Sequence, residues 1–386
     1  MTHPRICANL VRMPNHQHTD VVIAGAGFAG LACARSLAQQ GLSVSVLERK
    51  QDVGEGVHTT GILVKEAAEA YAFPASVLRK VPKVRLYAPN FSSVDLESEG
   101  YYFLATDTPN LLRYMATQAE DAGVKILYNT PYQEGAVEKS DSVYLPWLDL
   151  RCDYLIGADG AKSKVAEDFT LGKNNSFLVG VELEYQGISG IDEEYLHCFM
   201  DAELARGYLA WVVPGTPNIQ IGLACRPPQK PDIDAFIERL QRVFDFTNAK
   251  VVARRGGLIP VGGTVSPLAT KRVLLLGDSA GIVSPLTAGG IYTSLHYGEV
   301  LARAIAENIL EGGPEPAGVI HREYPRFYSK SLLRLALDYT PPNWVLDATM
   351  GNPLFCAVAQ TVFFHHRGLL SPRAWKEMLA EASARV

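Results

Sequence analysis

Three glycine-bearing stretches and three acids carry the chemistry that this chain can be expected to perform. The first stretch is Gly25-Ala26-Gly27-Phe28-Ala29-Gly30, with Glu48 standing 18 residues after Gly30 and Arg49 beside it. The first glycine permits a tight turn, the second leaves room for a pyrophosphate, and the third lets helix and strand pack closely. Free N–H groups and the partial positive charge of the helix that follows favour phosphate. Glu48 can accept hydrogen bonds from both hydroxyls of a ribose, which a 2′-phosphate would obstruct. The second stretch is Gly157-Ala158-Asp159-Gly160 with Ser163. The third is Gly277-Asp278, followed by Pro285 and Gly289-Gly290-Ile291. Glycines at these turns let the backbone approach a ligand, and N–H groups at a helix start are pre-aimed donors for negative charge.

To bring these residues together, each turn needs a strand before it. Val21–Ala24 reads as a buried parallel strand, Leu31–Gln40 as a helix closed by Gly41, and Val44–Leu47 as a second strand ending at Glu48. An apolar strand runs into Gly157, and Val273–Leu276 forms another that ends at Gly277-Asp278, where open α/β sheets bind ligands. Residues 290–310 carry a helical rhythm of Ile291, Leu295, Leu301, Ile305 and Ile309. Strand, turn, helix, strand and acid in this order predict dinucleotide binding. A single fingerprint leaves FAD and NAD both open.

The chain has 386 residues, enough for two domains with their own cores. Apolar residues make up 47% and charged ones 20%, an ordinary globular balance. A net charge of −5 without a basic stripe argues against nucleic acid as a partner. Six scattered cysteines with no C-x-x-C pair point to a reducing compartment, with neither a disulfide framework nor a metal site. Residues 1–18 are polar and lack a signal-peptide core, so a flexible, solvated tail is expected there. No run of 18 apolar residues predicts a membrane span.

The glycine motifs lie far apart in the chain, which implies a cofactor-binding domain built from 19–75, 101–170 and 265–315. A second, substrate domain from 76–100 and 171–264 is inserted. Within it, 83–98 and 176–225 read as antiparallel strands and 232–245 as a helix. Residues 110–123 read as a helix of the first domain. Residues 316–386 form a C-terminal helical region broken by Pro341-Pro342 and Pro353. Phe355, Val358, Val362, Phe363 and Phe364 are expected to pack a helix on the core. Peripheral membrane contact, with His365, His366 and Arg367 at the headgroup level, is the alternative.

The G-x-G-x-x-G run, the central "GADG" with Ser163 and the late "GD" occur in the order found in the FAD-dependent hydroxylase superfamily, which the chain resembles over about residues 19–310. "GDSAGIVSPLTAGGIYTSLHYGEVLA" and "YLAWVVPG" with "IQIGLA" resemble the geranylgeranyl reductase group most closely. The resemblance implies a Rossmann-like α/β FAD-binding domain, discontinuous in sequence, with an inserted antiparallel β-sheet substrate domain and C-terminal helices. It implies that Asp278 bonds a ribityl hydroxyl of FAD, that Pro285 stiffens the loop passing the flavin ring, and that Asp159, Arg49 and Arg113 lie at the cofactor. Tyr208, Trp211 and Tyr292 would line the substrate pocket, and Thr59 stands near the place where many reductases carry cysteine. Tyr208, Tyr292, His58 and His296 are candidate proton donors. The implied function is FAD-dependent reduction of a carbon–carbon double bond in a small apolar substrate. Flavin-dependent monooxygenation and non-catalytic flavin binding are the alternatives. With no second fingerprint, electrons would come from an external donor, NADPH or a redox protein. A cytoplasmic location follows, with or without membrane association.

Overall fold

The computed structural model describes residues 17–364. In chain order its elements are β1 Gln17–Ala24, α1 Phe28–Gln39, β2 Val44–Leu47, β3 Ile62–Val64, α2 Lys65–Ala70, β4 Leu78–Val81, β5 Lys83–Tyr87, β6 Ser93–Glu97, β7 Phe103–Thr106, α3 Thr108–Asp121, β8 Lys125–Leu127, β9 Val137–Glu138, β10 Val143–Leu145 and β11 Leu150–Gly157. There follow α4 Lys164–Asp168, β12 Phe177–Gln186, β13 Tyr195–Phe199, β14 Ala210–Pro214, β15 Ile219–Cys225, α5 Ile233–Leu240, β16 Lys250–Pro260, β17 Val273–Leu275 and α6 Ile291–Glu311. The last helices are α7 Pro316–Glu323, α8 Tyr328–Asp338, α9 Asn343–Thr349 and α10 Pro353–Phe364.

The first sheet has the order β8-β2-β1-β11, with β17 and the β10–β9 extension both pairing β11. β8, β2, β1, β11 and β17 are parallel. Val21, Val22 and Ile23 are fully buried, as strands covered on both faces require. α1 and α6 lie against each other: a Cβ on Gly298 would come within 3.1 Å of the Ala29 carbonyl oxygen. β1 begins at Gln17, two residues inside the expected tail. Gln17 and His18 pair with Leu150 and Arg151, and the His18 ring sits 3.0 Å from an Asp153 oxygen. The earlier part of that tail, residues 1–16, lies outside the described residues, as do His365, His366 and Arg367.

The second sheet has seven strands in the order β16-β12-β15-β14-β13-β5-β6. It is mixed rather than antiparallel: β5 and β13 run parallel. The two strands are distant in sequence, so the connection between them is long enough for the crossover that parallel pairing demands. One face, with Tyr87, Phe199, Val212 and Ile221, packs on α5 through Ile233, Phe236 and Leu240. Asp232 caps that helix, its carboxylate accepting the Ala235 N–H. The other face, with Leu86, Cys198, Trp211, Val213 and Ala224, meets Met350 of the loop after α9 and Phe355, Phe363 and Phe364 of α10. β4 joins neither large sheet; it pairs with β7 in a small sheet, β3-β7-β4. Among the described residues no helix is long and apolar enough to cross a membrane.

Candidate functional site

The three glycine turns meet. A Cβ on Gly25 would lie 2.4 Å from the Ala158 carbonyl oxygen and 3.2 Å from Asp159 Cα, so the first turn rests on the second. A Cβ on Gly277 would lie 2.7 Å from Ala29 Cβ, so the third rests on the first. Asn174 links the second and third, donating to the carbonyls of Ala161 (3.1 Å) and Asp278 (2.8 Å). Backbone bonds lock the register, from Ala158 N to Ala24 O and from Leu276 N to Gly157 O, each 2.9 Å.

Gly27 differs from its neighbours. Nothing lies within 4 Å of where its Cβ would point, and it opens α1 with no side-chain cap and no acid in the first turn. The helix start therefore presents bare N–H groups to an open side. Phe28 and Ala29 form that first turn, Phe28 half-buried and Ala29 buried. α6 starts in the same way at Gly290, after the buried Pro285 and the exposed Gly289, again with no side-chain cap and no acid in its first turn, where Ile291 is the first residue.

Glu48 is buried and holds the first turn: one oxygen accepts the Ala26 N–H (2.9 Å) and the other the Lys50 N–H (3.0 Å). Each oxygen keeps a lone pair for a further donor. Asp159 uses one oxygen for the N–H groups of Lys164 (2.7 Å) and Val165 (3.1 Å) and leaves Oδ1 buried without a partner. Burial raises its pKa, which those N–H groups and Ser163 offset only in part. Among the described residues the Asp278 carboxylate has no hydrogen-bond donor, and burial pushes its pKa up to about 6. Two acids short of donors, an open helix start and a half-satisfied Glu48 fit the hydroxyls and phosphates of the dinucleotide expected from the sequence.

Arg49 is exposed at the rim. Arg113 of α3 gives its guanidinium to Asp52 (Nε–Oδ2 2.9 Å) and Asn110 (2.7 Å). That pairing holds the Asp52 carboxyl below, and the guanidinium above, their ordinary ranges.

Beyond the turns, Tyr208 donates its hydroxyl to the Thr287 carbonyl at 2.7 Å, tying the second sheet to the loop before α6. Its ring meets Trp211 edge-on, centroids 6.5 Å apart. Burial pushes the Tyr208 phenol well up. Tyr292 lies elsewhere, among Leu63, Leu111 and Phe28, stacked on His296 at 5.9 Å. His58 reaches the Gly256 carbonyl (Nδ1 2.8 Å). The structure thus joins Tyr208 to Trp211, while Tyr292 packs against a different apolar cluster.

Two buried charges here escape sequence reasoning. Glu182 of β12 is 3% exposed, as is Arg334 of α8. Arg334 pairs with Asp338 (Nε–Oδ1 2.9 Å) and donates to the carbonyls of Gly207 and Pro285. It is the one buried residue of α8. The signal that could have marked it is Arg334 and Asp338 at i,i+4 in a stretch, 332–338, that is otherwise Leu and Ala.

The sequence matches the FAD binding domain family over residues 18–317. It is 28% identical over 325 residues to the digeranylgeranylglycerophospholipid reductase of Methanothrix thermoacetophila, covering 79% of this chain and 82% of the relative. It is likewise 28% identical over 319 residues to the enzyme of that name from Methanosarcina acetivorans, covering 76% of each. Among solved structures, a geranylgeranyl bacteriochlorophyll reductase-like protein from Thermoplasma acidophilum superposes with a TM-score of 0.79 at 19% identity, over 95% of this chain and 96% of that one. The p-nitrophenol 4-monooxygenase of Pseudomonas putida DLL-E4 superposes at 0.66 and 18% identity, over 95% and 98%. These structural likenesses establish the shared fold. With the family matched across the three converging turns, the chain belongs to the FAD binding domain family and is an FAD-dependent oxidoreductase.

Proposed function

We propose that the protein reduces carbon–carbon double bonds in the isoprenoid chains of a lipid. One observation carries this reading: most of the chain aligns with reductases named for digeranylgeranylglycerophospholipid. The apolar sheet face turned to the loop before α6 agrees with it. Bound FAD supplies the hydride. Gly27 and the α1 N-terminus would take its pyrophosphate, Glu48 its ribose, and Asp278 a ribityl hydroxyl, while Asp159 stays structural beside the phosphates. The N–H groups at Gly290 and Ile291 would face negative charge on the ring. Arg113 would hold segment 50–54 beneath the adenosine end, and Arg49 stand at its edge. Tyr208, held protonated by burial, would fix the loop against the pocket wall formed with Trp211. The electron donor would be NADPH or a redox protein.

An anaerobic single turnover tests this. Protein whose flavin has been reduced chemically is mixed with a geranylgeranyl-bearing phospholipid. The oxidised flavin spectrum should return and the lipid should gain two hydrogens per bond. Reoxidation only with oxygen, with one oxygen atom added to a substrate, would establish the monooxygenase instead. No turnover with either would leave a flavin-binding relative.

A lipid substrate also accounts for the surface of α8. Tyr328, Leu332, Leu335 and Tyr339 form a helical stripe, 73%, 69%, 66% and 80% exposed, with Trp344 of α9 at 72%. Arg326 and Lys330 stand beside it. Aromatic ends, an aliphatic middle and flanking cations suit a bilayer interface. By contrast Phe355, Phe363 and Phe364 pack inward, so the contact surface lies ahead of the segment singled out by sequence. Sedimentation with anionic vesicles should fall about ten-fold in the Leu332→Glu/Leu335→Glu variant, with melting temperature unchanged. Equal sedimentation of variant and wild type rules the surface out.

A further inference from the structure

Glu182 is a buried acid on the apolar face that the second sheet turns toward the loop before α6. Its neighbours form a row across the sheet. Arg255 of β16 pairs with Glu182 of β12, Glu182 with Gly222 of β15, and Gly222 with Trp211 of β14. Residues directly opposite across neighbouring strands share a face, so all four project to one side. Oε2 of Glu182 accepts the Trp211 indole N–H at 2.7 Å and the Thr60 hydroxyl at 2.5 Å. Oε1 lies 2.7 Å from Nε of Arg255, which also pairs with Glu184.

The row has a gap in it, and the gap is filled by a ring. A Cβ on Gly222 would come within 2.6 Å of two ring carbons of Trp211 and 2.8 Å of Nε1. The indole therefore lies flat over a residue that has no side chain, with its one donor fixed by Glu182. Thr60 ties the same carboxylate to the chain that enters β3. That segment is fastened again where His58 meets the Gly256 carbonyl and where Thr108 donates to the Thr60 carbonyl (3.4 Å).

A buried ion pair is weak evidence for stability, because desolvation offsets most of its attraction. Its value here is geometric. We propose that Glu182 is a positioning residue that holds the Trp211 ring down on Gly222 and the Thr60 segment against the sheet, and so sets the depth of the apolar pocket. This rests on the reading that this face receives the isoprenoid chain. Without the carboxylate, the ring is free to rotate off Gly222 into the space that the chain must enter. Gly222 is the partner device, since any side chain there lifts the ring in the same direction.

The test uses full-length, FAD-loaded protein and two readouts. The first is the Trp211 band in near-ultraviolet circular dichroism, assigned by difference with Trp211→Phe. The second is the split between KM and kcat in the anaerobic assay. Glu182→Gln keeps an acceptor for Trp211 and Thr60 and should keep the band, with KM within about two-fold. Glu182→Ala should lose the band and raise KM by about ten-fold or more, with kcat within about three-fold. Gly222→Ala leaves the acid and its arginine intact and should reproduce both changes through the seat of the ring. If Glu182→Ala does not fold, the Glu182→Leu/Arg255→Met double variant, which removes the acid together with its paired arginine, takes its place and should show the same loss of band and rise in KM. The proposal is overturned if Gly222→Ala keeps the native Trp211 band, or if Glu182→Ala lowers only the melting temperature. Should no isoprenoid lipid be reduced, the dichroism arm still reports whether Glu182 orients Trp211, so the two failures are separable.

Discussion

Gly30→Ala is expected to give a protein that melts early and does not retain FAD, whereas Gly27→Ala is expected to fold normally and still fail to retain it. The first effect is steric and internal. A Cβ on Gly30 would lie 2.0 Å from the Gly25 carbonyl oxygen and 3.1 Å from its carbon. Both are backbone atoms of a turn that itself rests on Ala158, so no flexible side chain can yield. Forced overpacking of this kind costs about 3 kcal/mol, visible as a lower melting temperature of the cofactor-free protein. The second effect is external. A Cβ on Gly27 meets nothing within 4 Å, so the apoprotein loses no more than the about 1 kcal/mol of a poorer helix N-cap. Yet on the proposed reading that empty side would face the pyrophosphate, and FAD affinity should drop ten-fold or more, about 1.4 kcal/mol at least. Titration of the two apoproteins with FAD, alongside thermal melts, separates the cases. Full FAD affinity in Gly27→Ala would exclude this helix start as the phosphate site.

The second large effect is expected at Arg334. Arg334→Met should destabilise the protein by about 3 kcal/mol and weaken FAD binding, although the residue sits in the C-terminal region. The residue is 3% exposed, and its guanidinium reaches the carbonyls of Gly207 and Pro285 while pairing with Asp338. Removing it strands two buried carbonyls and loosens both ends of a short path. Gly207 precedes Tyr208, whose hydroxyl holds Thr287, and Pro285 begins the loop that ends at Gly290. Leu332→Ser, two residues away but 69% exposed, serves as control and should change stability by no more than about 0.5 kcal/mol. Denaturant unfolding and FAD titration of both variants check this. Equal stability in the two would show that Arg334 does not fasten the loop.

The cofactor half of this protein was legible in the sequence because its information is local. Gly25, Gly27 and Gly30 each do their work within one strand–turn–helix unit, and β2 occupies the expected Val44–Leu47. The helix expected over 290–310 is found at Ile291–Glu311, closed by Gly312 in the left-handed region. What stayed hidden depends on partners distant in sequence. Glu182 is defined by Thr60, Trp211 and Arg255, and Arg334 by Gly207 and Pro285, none of which a local pattern can bring together. β16 was missed because Arg254-Arg255 and Gly256-Gly257 break the alternation of an edge strand. The stripe on α8 marks a limit of periodicity in the opposite sense: Tyr328, Leu332, Leu335 and Tyr339 have the spacing of a buried face, but that face points outward.

The pairing order of the first sheet has a consequence for biosynthesis. Val22 of β1 lies beside Leu155, and Leu155 beside Val273, so neighbours in space are made more than a hundred residues apart. A nascent chain emerging from the ribosome lacks β17 and the third glycine turn until β12 to β16 of the second sheet have been made. Such long-range closure is slow and leaves apolar strands open to chaperones or aggregation in the interval. On the proposed reading, flavin loading would wait for the third turn, so flavin supply is expected to act on the yield of finished protein rather than on the start of its folding.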